Sequence, residues 1–217
     1  MGAYRAVFFD FDYTLGDATD SIVAGFENGL SKLGWPIPDR DAIRATIGYL
    51  LEDAYTILSG DASAEGRAKF RPYYQEVALP GQLNGIPLFP GAKELLLGLH
   101  EAGMQMAIVS SRRSLTIQTT MDKEGLAHCL SFIIGSTDVK RHKPDPEGLL
   151  LATERLSLSP EEVLYCGDTV MDAGAAQNAG CAFCAVLNGT TKAEDFAPYP
   201  CAHIAPDLFD LAAWLGV

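Results

Sequence analysis

Five short runs of almost unbroken apolar residues constrain this chain more than any other feature: Tyr4 to Phe9, Gln105 to Val109, Phe132 to Gly135, Val163 to Cys166 and Ala182 to Leu187. A strand with one wet face alternates apolar and polar residues, whereas a strand covered on both faces does not need to. Between these runs, Pro90 to Ala102, Ser114 to Glu124, Pro146 to Leu156 and Val170 to Ala179 carry helical spacing. Gly103 and Gly180 supply stop signals after the first and last of these helices. Strand and helix in alternation predict an α/β fold, a doubly wound parallel sheet with helices on both faces.

The alternation fails over residues 16–87. Ile22, Val23, Phe26, Leu30 and Leu33 form an apolar helical stripe that ends at Gly34-Trp35-Pro36. Helical segments follow at Asp41 to Thr46, Leu50 to Leu58 and Ala64 to Val77, with no convincing strand among them. The expected organisation is therefore a core domain of residues 1–15 and 88–217, with an all-helical cap domain of residues 16–87 inserted after the first strand.

The formal net charge of −12 argues against a nucleic-acid partner, which demands a basic face, and against an anionic lipid surface. No apolar run approaches the roughly 20 residues needed to span a bilayer. The chain enters its first strand without the basic and then apolar pattern of a signal peptide. The five cysteines are an odd number, which fits a reducing compartment better than a disulfide framework, so a cytoplasmic location is expected. Cys181-Ala-Phe-Cys184 matches a C-x-x-C pattern but lies in an apolar strand, where cysteine behaves as a small hydrophobe.

In an open parallel sheet, ligands bind beyond the carboxyl ends of the strands, and polar residues stand at each of those ends here. Asp10 and Asp12 follow the first strand, two residues apart, so they project to one side while Phe9 and Phe11 pack on the other. Ser110-Ser111-Arg112-Arg113 follows the second strand, Lys143-Pro144 the third after a short loop, and Gly167-Asp168-Thr169-Val170-Met171-Asp172 the fourth. Each group taken singly could be a helix cap or a solvated loop charge. Together they offer complementary chemistry at one sheet edge. A strand-end carboxylate can attack phosphorus and a second can move a proton. A hydroxyl and a lysine can hold phosphoryl oxygens, while Asp168 and Asp172, at i and i+4 about a helix start, complete an oxygen-only site suited to magnesium.

In this pattern the chain resembles the haloacid dehalogenase-like hydrolase superfamily, in the branch with a helical cap after the first motif. All four motifs occur in order, as Asp10-Phe11-Asp12-Tyr13-Thr14, Ser110, Lys143-Pro144 and Gly167-Asp168-Thr169 with Asp172. Phe89-Pro90-Gly91 and Ala179-Gly180-Cys181 extend the likeness over essentially the whole chain. The resemblance implies a Rossmann-like core, Asp10 as nucleophile and Asp12 as general acid and base. It also implies that Ser110 and Lys143 hold the phosphoryl group, with Ser111 and Arg112 on the substrate side. Mg2+ would be bound by the Asp10 carboxylate, the Asp12 main-chain carbonyl and the Asp168 carboxylate, with Asp172 nearby or through water. Two positions depart from the pattern: Tyr13 where many relatives have glycine, and Arg112 where lysine is frequent.

Thr46-Ile47-Gly48 and Phe70-Arg71-Pro72-Tyr73-Tyr74 look closest to phosphoglycolate phosphatase-like members. A carboxylate-bearing substrate would need a cation from the cap, for which Arg40, Arg44, Arg67, Lys69 and Arg71 are the candidates. The expected protein is a monomer or homodimer that hydrolyses a small phosphate monoester through an aspartyl-phosphate. Three other readings compete. A haloacid dehalogenase of the same fold needs neither Asp12 nor a metal, and a phosphosugar mutase shares every core residue named. A receiver-like phospho-acceptor module, a binding domain and not an enzyme, would be much shorter and lack the insert.

Overall fold

A computed structural model describes residues 4–217, so residues 1–3 of the 1–15 core segment lie outside it. Six strands form one sheet: β1 Ala6–Phe9, β2 Gln105–Val109, β3 Phe132–Ile134, β4 Val163–Gly167, β5 Ala182–Val186 and β6 His203–Ala205. Their order is β3-β2-β1-β4-β5-β6, and every pairing is parallel. From β1 the chain first builds outward through β2 and β3, then crosses over to β4 and builds the other way. That reversal beside β1 is where a parallel sheet opens a crevice for ligand.

The nine helices among the described residues are α1 Thr19–Lys32, α2 Arg40–Arg44, α3 Leu51–Ser59, α4 Ala64–Leu83, α5 Ala92–Glu101, α6 Ser114–Lys123, α7 Glu147–Leu156, α8 Val170–Ala179 and α9 Leu208–Leu215. Both faces of the sheet are buried, as the apolar runs require. Val7 and Phe9 pack with Leu95, Leu96 and Leu99 of α5, Ile117 and Met121 of α6, and Leu208 and Leu211 of α9. Ala6 and Phe8 face the other way, onto Leu149 and Ala152 of α7 and the alanine face of α8. The side-chain period of two is thus present in β1 even though no polar residue marks it.

Helices α1 to α4 lie between β1 and α5 and contain no strand. The predicted stripe Ile22, Val23, Phe26 and Leu30 is buried. Phe26 meets Phe70 and Tyr74 of α4 with ring centroids 5.2 and 5.3 Å apart, and Tyr55 of α3 stacks on Phe70 at 4.7 Å. The segment leaves and rejoins the sheet at one place. Asp17 N–H donates to the Pro87 carbonyl and Phe89 N–H to the Leu15 carbonyl, both within 2.9 Å.

The outline differs from the sequence reading in three places. Helix α4 runs six residues past Val77, through Pro72 and Pro80. Its contact with α1 outweighs the hydrogen bonds the prolines remove. Strand β6 and helix α9 were not anticipated: β6 is three residues long and contains His203, too short to register as an apolar run. No helix among the described residues is long and apolar enough to cross a membrane.

Candidate active site

Asp10 follows β1 directly, and its N–H donates to the Cys166 carbonyl at 2.8 Å, extending the pairing with β4 by one residue. Asp168 follows β4 after Gly167. Asp172 lies in the first turn of α8, where it forms a capping box with Thr169: its Oδ2 accepts from Thr169 N at 3.0 Å and from Thr169 Oγ1 at 2.6 Å. The glycine at 167 is needed for this approach, because a Cβ there would stand 2.5 Å from Asp172 Cβ. Asp10, Asp168 and Asp172 are all buried, with carboxylate oxygens within 4.8 Å of one another.

Lys143, from the loop after β3, enters this cluster with its side chain 8% exposed. Its Nζ lies 2.5 Å from Asp172 Oδ1 and 3.1 Å from Asp10 Oδ2. The Tyr165 hydroxyl on β4 stands 3.3 Å from the same nitrogen and 2.9 Å from Asp172 Oδ1. Burial alone would lower the lysine's pKa, but Asp10 and Asp172 outweigh it and hold the ammonium charged. The acids remain in excess. Burial, opposed by Lys143 and reinforced by Asp172, leaves the Asp10 pKa raised to about 6. Burial and then the neighbouring Asp172 and Asp10 carboxylates hold Asp168 well above the ordinary range.

Asp12 is committed elsewhere. Both its oxygens are taken by Arg112, with Nε to Oδ2 at 2.7 Å and Nη2 to Oδ1 at 2.8 Å, and the two side chains are 11% and 5% exposed. Arg112 thus lines the cavity, but its planar fork is spent on a carboxylate of the same chain. Ser110 sits at the end of β2, its N–H donating to the Ile134 carbonyl at 3.0 Å and its Oγ accepting from Arg112 N at 3.2 Å. Ser111 is half-buried on the cavity wall.

Counting charges over this floor gives four buried acids, Asp10, Asp12, Asp168 and Asp172, against two cations, Lys143 and Arg112. Asp10 Oδ1 is the one buried side-chain oxygen or nitrogen among the described residues with no hydrogen-bond partner. An excess of two acids over cations, an orphaned carboxylate oxygen and an all-oxygen donor set fit a divalent cation.

Over the floor lies a cavity of about 230 Å³. Its floor side includes Asp10, Asp12, Ser110, Ser111 and Arg112; its roof comes from α1, the α2–α3 connection, the start of α3 and α4. Roof and floor touch directly, since a Cβ on Gly48 would lie 2.9 Å from Thr169 Cγ2. They are also joined through Tyr13, whose backbone is in the left-handed region at φ 55°. Its hydroxyl sits 2.8 Å from Thr19 Oγ1 and accepts from Arg44 Nε at 3.1 Å. Of the five cap cations named from the sequence, Arg71 alone lines the cavity.

The structure therefore gathers Asp10, Asp168, Asp172 and Lys143 in one buried cluster, and places Asp12, Ser110, Ser111 and Arg112 on the wall beside it. Sequence reasoning missed Tyr165, a polar tip on an otherwise apolar strand. It also missed Gly189, in the turn after β5, where a Cβ would stand 3.1 Å from the Asp168 carboxyl carbon. The position of Gly189 beyond a strand's carboxyl end was the signal available.

Residues 7–186 match the model of the haloacid dehalogenase-like hydrolases. The chain is 30% identical to a phosphoglycolate phosphatase of Salmonella typhi over 98% of its own length and 93% of that protein's. It is 32% identical to an N-acetylmuramic acid 6-phosphate phosphatase of Pseudomonas putida over 88% and 86% of the two chains. A solved structure from Streptococcus pneumoniae, a haloacid dehalogenase-like family hydrolase, superposes with a TM-score of 0.88 at 25% identity, covering 99% of this chain and 100% of that one. The crossover beside β1, the acids beyond β1 and β4, and a family match running from the first strand to the fifth all agree: the chain belongs to the haloacid dehalogenase-like hydrolases.

Proposed function

We propose that the protein is a magnesium-dependent phosphatase that hydrolyses small organic phosphate monoesters through an aspartyl-phosphate on Asp10. The observation that carries this reading is the state of Asp10. One oxygen is held by Lys143, while the other is buried and unpartnered, in a side chain that lines the cavity. Oδ1 attacks phosphorus as the bond to the leaving oxygen breaks, and Asp12 gives that oxygen a proton. Asp12 then takes a proton from water as the water oxygen attacks the acyl phosphate, which restores Asp10 and releases inorganic phosphate. For either step Asp12 must exchange Arg112 for the reacting oxygen. Lys143 and Ser110 hold the equatorial phosphoryl oxygens.

Mg2+ would be held by Asp10, Asp168 and the Asp12 main-chain carbonyl, with Asp172 beside it, and would supply neutralisation of the phosphoryl charge. Residues 16–87 act as the cap domain, with residues 1–15 and 88–217 as the core. The paired connections at Asp17–Pro87 and Leu15–Phe89 support a hinge at that point. The five free cysteines support a cytoplasmic location, and the active unit is a monomer or homodimer.

The test is turnover of p-nitrophenyl phosphate with magnesium and with a chelator. Repeated turnover that stops on chelation is expected; no turnover, or turnover indifferent to chelation, would sink the reading.

A further inference from the structure

The roof of the cavity says which leaving groups the site accepts. Its surface is dominated by Ile22, Phe26, Ile47, Leu51, Ala54 and Leu79. All six lysines and arginines in residues 16–87 are paired with acids: Lys32 with Glu76, Arg40 with Asp20, Arg44 with Asp41, Arg67 with Asp53, Lys69 with Glu65 and Arg71 with Glu52. Arg71 is the one that reaches the cavity, and Glu52 lines the cavity beside it, so this corner of the roof carries no net charge. On the floor, Arg112 spends its Nε and Nη2 on the two oxygens of Asp12. Arg113, at the start of α6, and His142, in the loop after β3, also line the cavity and are in no ion pair among the described residues, but both belong to the floor side and not to the roof.

Resting on the phosphatase reading, we infer that the leaving group is uncharged and presents an apolar face, and that esters carrying a carboxylate on the leaving group are disfavoured. A carboxylate brought against this roof loses water and gains no uncommitted cation from it, which is costly. An alkyl, aryl or partly reduced polyol group buries methylenes against the aliphatic wall, which favours binding with each carbon. Gln75 and Gln82, also on the wall, offer neutral donors and acceptors that suit hydroxyl or amide substituents. The paired roof departs from the expectation that a cap cation awaits a substrate carboxylate.

A matched pair of substrates isolates the charge: butyl phosphate and 3-carboxypropyl phosphate share chain length and ester bond and differ in a terminal methyl or carboxylate. With the full chain and saturating magnesium, kcat/KM should be at least tenfold higher for butyl phosphate, and 2-phosphoglycolate should rank with the carboxylated ester. Glu52→Gln, which leaves Arg71 without its acid, should narrow the butyl to carboxypropyl ratio by threefold or more. Equal or better hydrolysis of the carboxylated esters by the wild-type protein overturns the inference, and its loss in Arg113→Gln would then locate the cation responsible. A ratio unmoved by Glu52→Gln overturns the role given to the Arg71–Glu52 pair. Failure to hydrolyse any ester, p-nitrophenyl phosphate included, would instead reject the phosphatase reading itself.

Discussion

The floor and the roof of the cavity are built on opposite electrostatic plans. The floor stands on strand ends and the first turn of α8, is buried, and holds four acids against two cations. The roof stands on helices that pack mainly on one another through Phe26, Tyr55, Phe70 and Tyr74, and every cation in it is matched by an acid. An uncompensated charge is expensive to bury, and a fold retains one where an ion or an anionic reactant completes it. A compensated, aliphatic wall can sort ligands by shape and apolarity. On the proposed reading, chemistry common to all substrates belongs to the floor, and selection among them to the roof.

The sharpest way to break that division is Asp10→Asn. If Asp10 is the nucleophile, phosphatase activity should fall by about 10³-fold or more, since an amide oxygen is a poor nucleophile. The same change removes one charge from the excess. In the presence of chelator at pH 7.5, the variant should therefore melt no lower than the parent, even though Lys143 loses a charged partner. Near-normal turnover in a folded Asp10→Asn protein would remove the nucleophile from the floor. A large drop in melting temperature would show that the carboxylate is structural.

Arg112 gives the next effect. Arg112→Ala leaves Asp12 without the fork that holds both its oxygens, in a site about nine-tenths buried. Removing one partner of a buried pair costs about 3 kcal/mol. Urea unfolding should show this loss, with Arg112→Lys recovering part of it, because a lysine keeps the charge but cannot bind both oxygens in one plane. An Arg112→Ala variant as stable as the parent would mean that the pair contributes nothing net.

That pair also shows where sequence reasoning runs out. The strands were legible because an all-parallel sheet buried on both faces needs apolar runs, and Ala6 to Phe9 or Val163 to Cys166 could serve few other purposes. The floor acids were legible for a related reason: Asp10, Asp12 and Asp168 follow such runs immediately, and a carboxylate there must be compensated. Arg112 was legible as a cation at a strand end, but not as the partner of an acid 100 residues away, because the sequence carries no signal for which way a guanidinium turns. The roof cations failed in the same way. Arg40, Arg44, Arg67 and Lys69 stand in a helical insert that must lie near Asp12, yet each meets an acid outside the cavity. Short elements were lost for want of length, as with β6, and α4 was cut short because Pro80 counts against a helix locally while α1 supports it from across the insert.

The charge excess should also be visible as a pH dependence of stability. Asp10 has its folded pKa raised to about 6 from an ordinary 3.8. A raised carboxyl favours the folded state fully below its unfolded pKa, and that contribution is lost as pH rises through the folded value. Between about pH 4 and pH 6 the metal-free protein should therefore lose stability on the order of 2–3 kcal/mol, from roughly two pKa units at 1.4 kcal/mol each. Asp168, shifted in the same direction, adds to the trend. Magnesium, which favours the ionised acids, should flatten or reverse the slope. Urea midpoints from pH 4 to 7.5, with chelator and with magnesium, supply the measurement. A chelated protein that gains stability over this range would mean that the floor is already balanced.

The smallest effect lies at the joint between the two regions, Tyr13. Its hydroxyl reaches Thr19 at the start of α1 and Arg44 at the end of α2, so one side chain from the loop after β1 touches two helices of the roof. Thr19 in turn donates to Asp17, where the insert leaves the core. Tyr13→Phe keeps the buried ring, and with it the left-handed backbone at φ 55°, and removes only these hydroxyl contacts. The expected loss is about 1 kcal/mol of stability, the ordinary net worth of a hydrogen bond, because Arg44 is partly exposed and water can replace its partner. The informative readout is where the loosening falls. Amide exchange should quicken in the first turn of α1 and across α2, while β1 and α8, which the hydroxyl does not touch, keep their protection. Substrate ranking should then blur more than p-nitrophenyl phosphate turnover falls, since the roof and not the floor has lost an anchor. Exchange that quickens equally in β1 and α8 would show that Tyr13 holds the floor together, and would erase the distinction between the two regions at this residue.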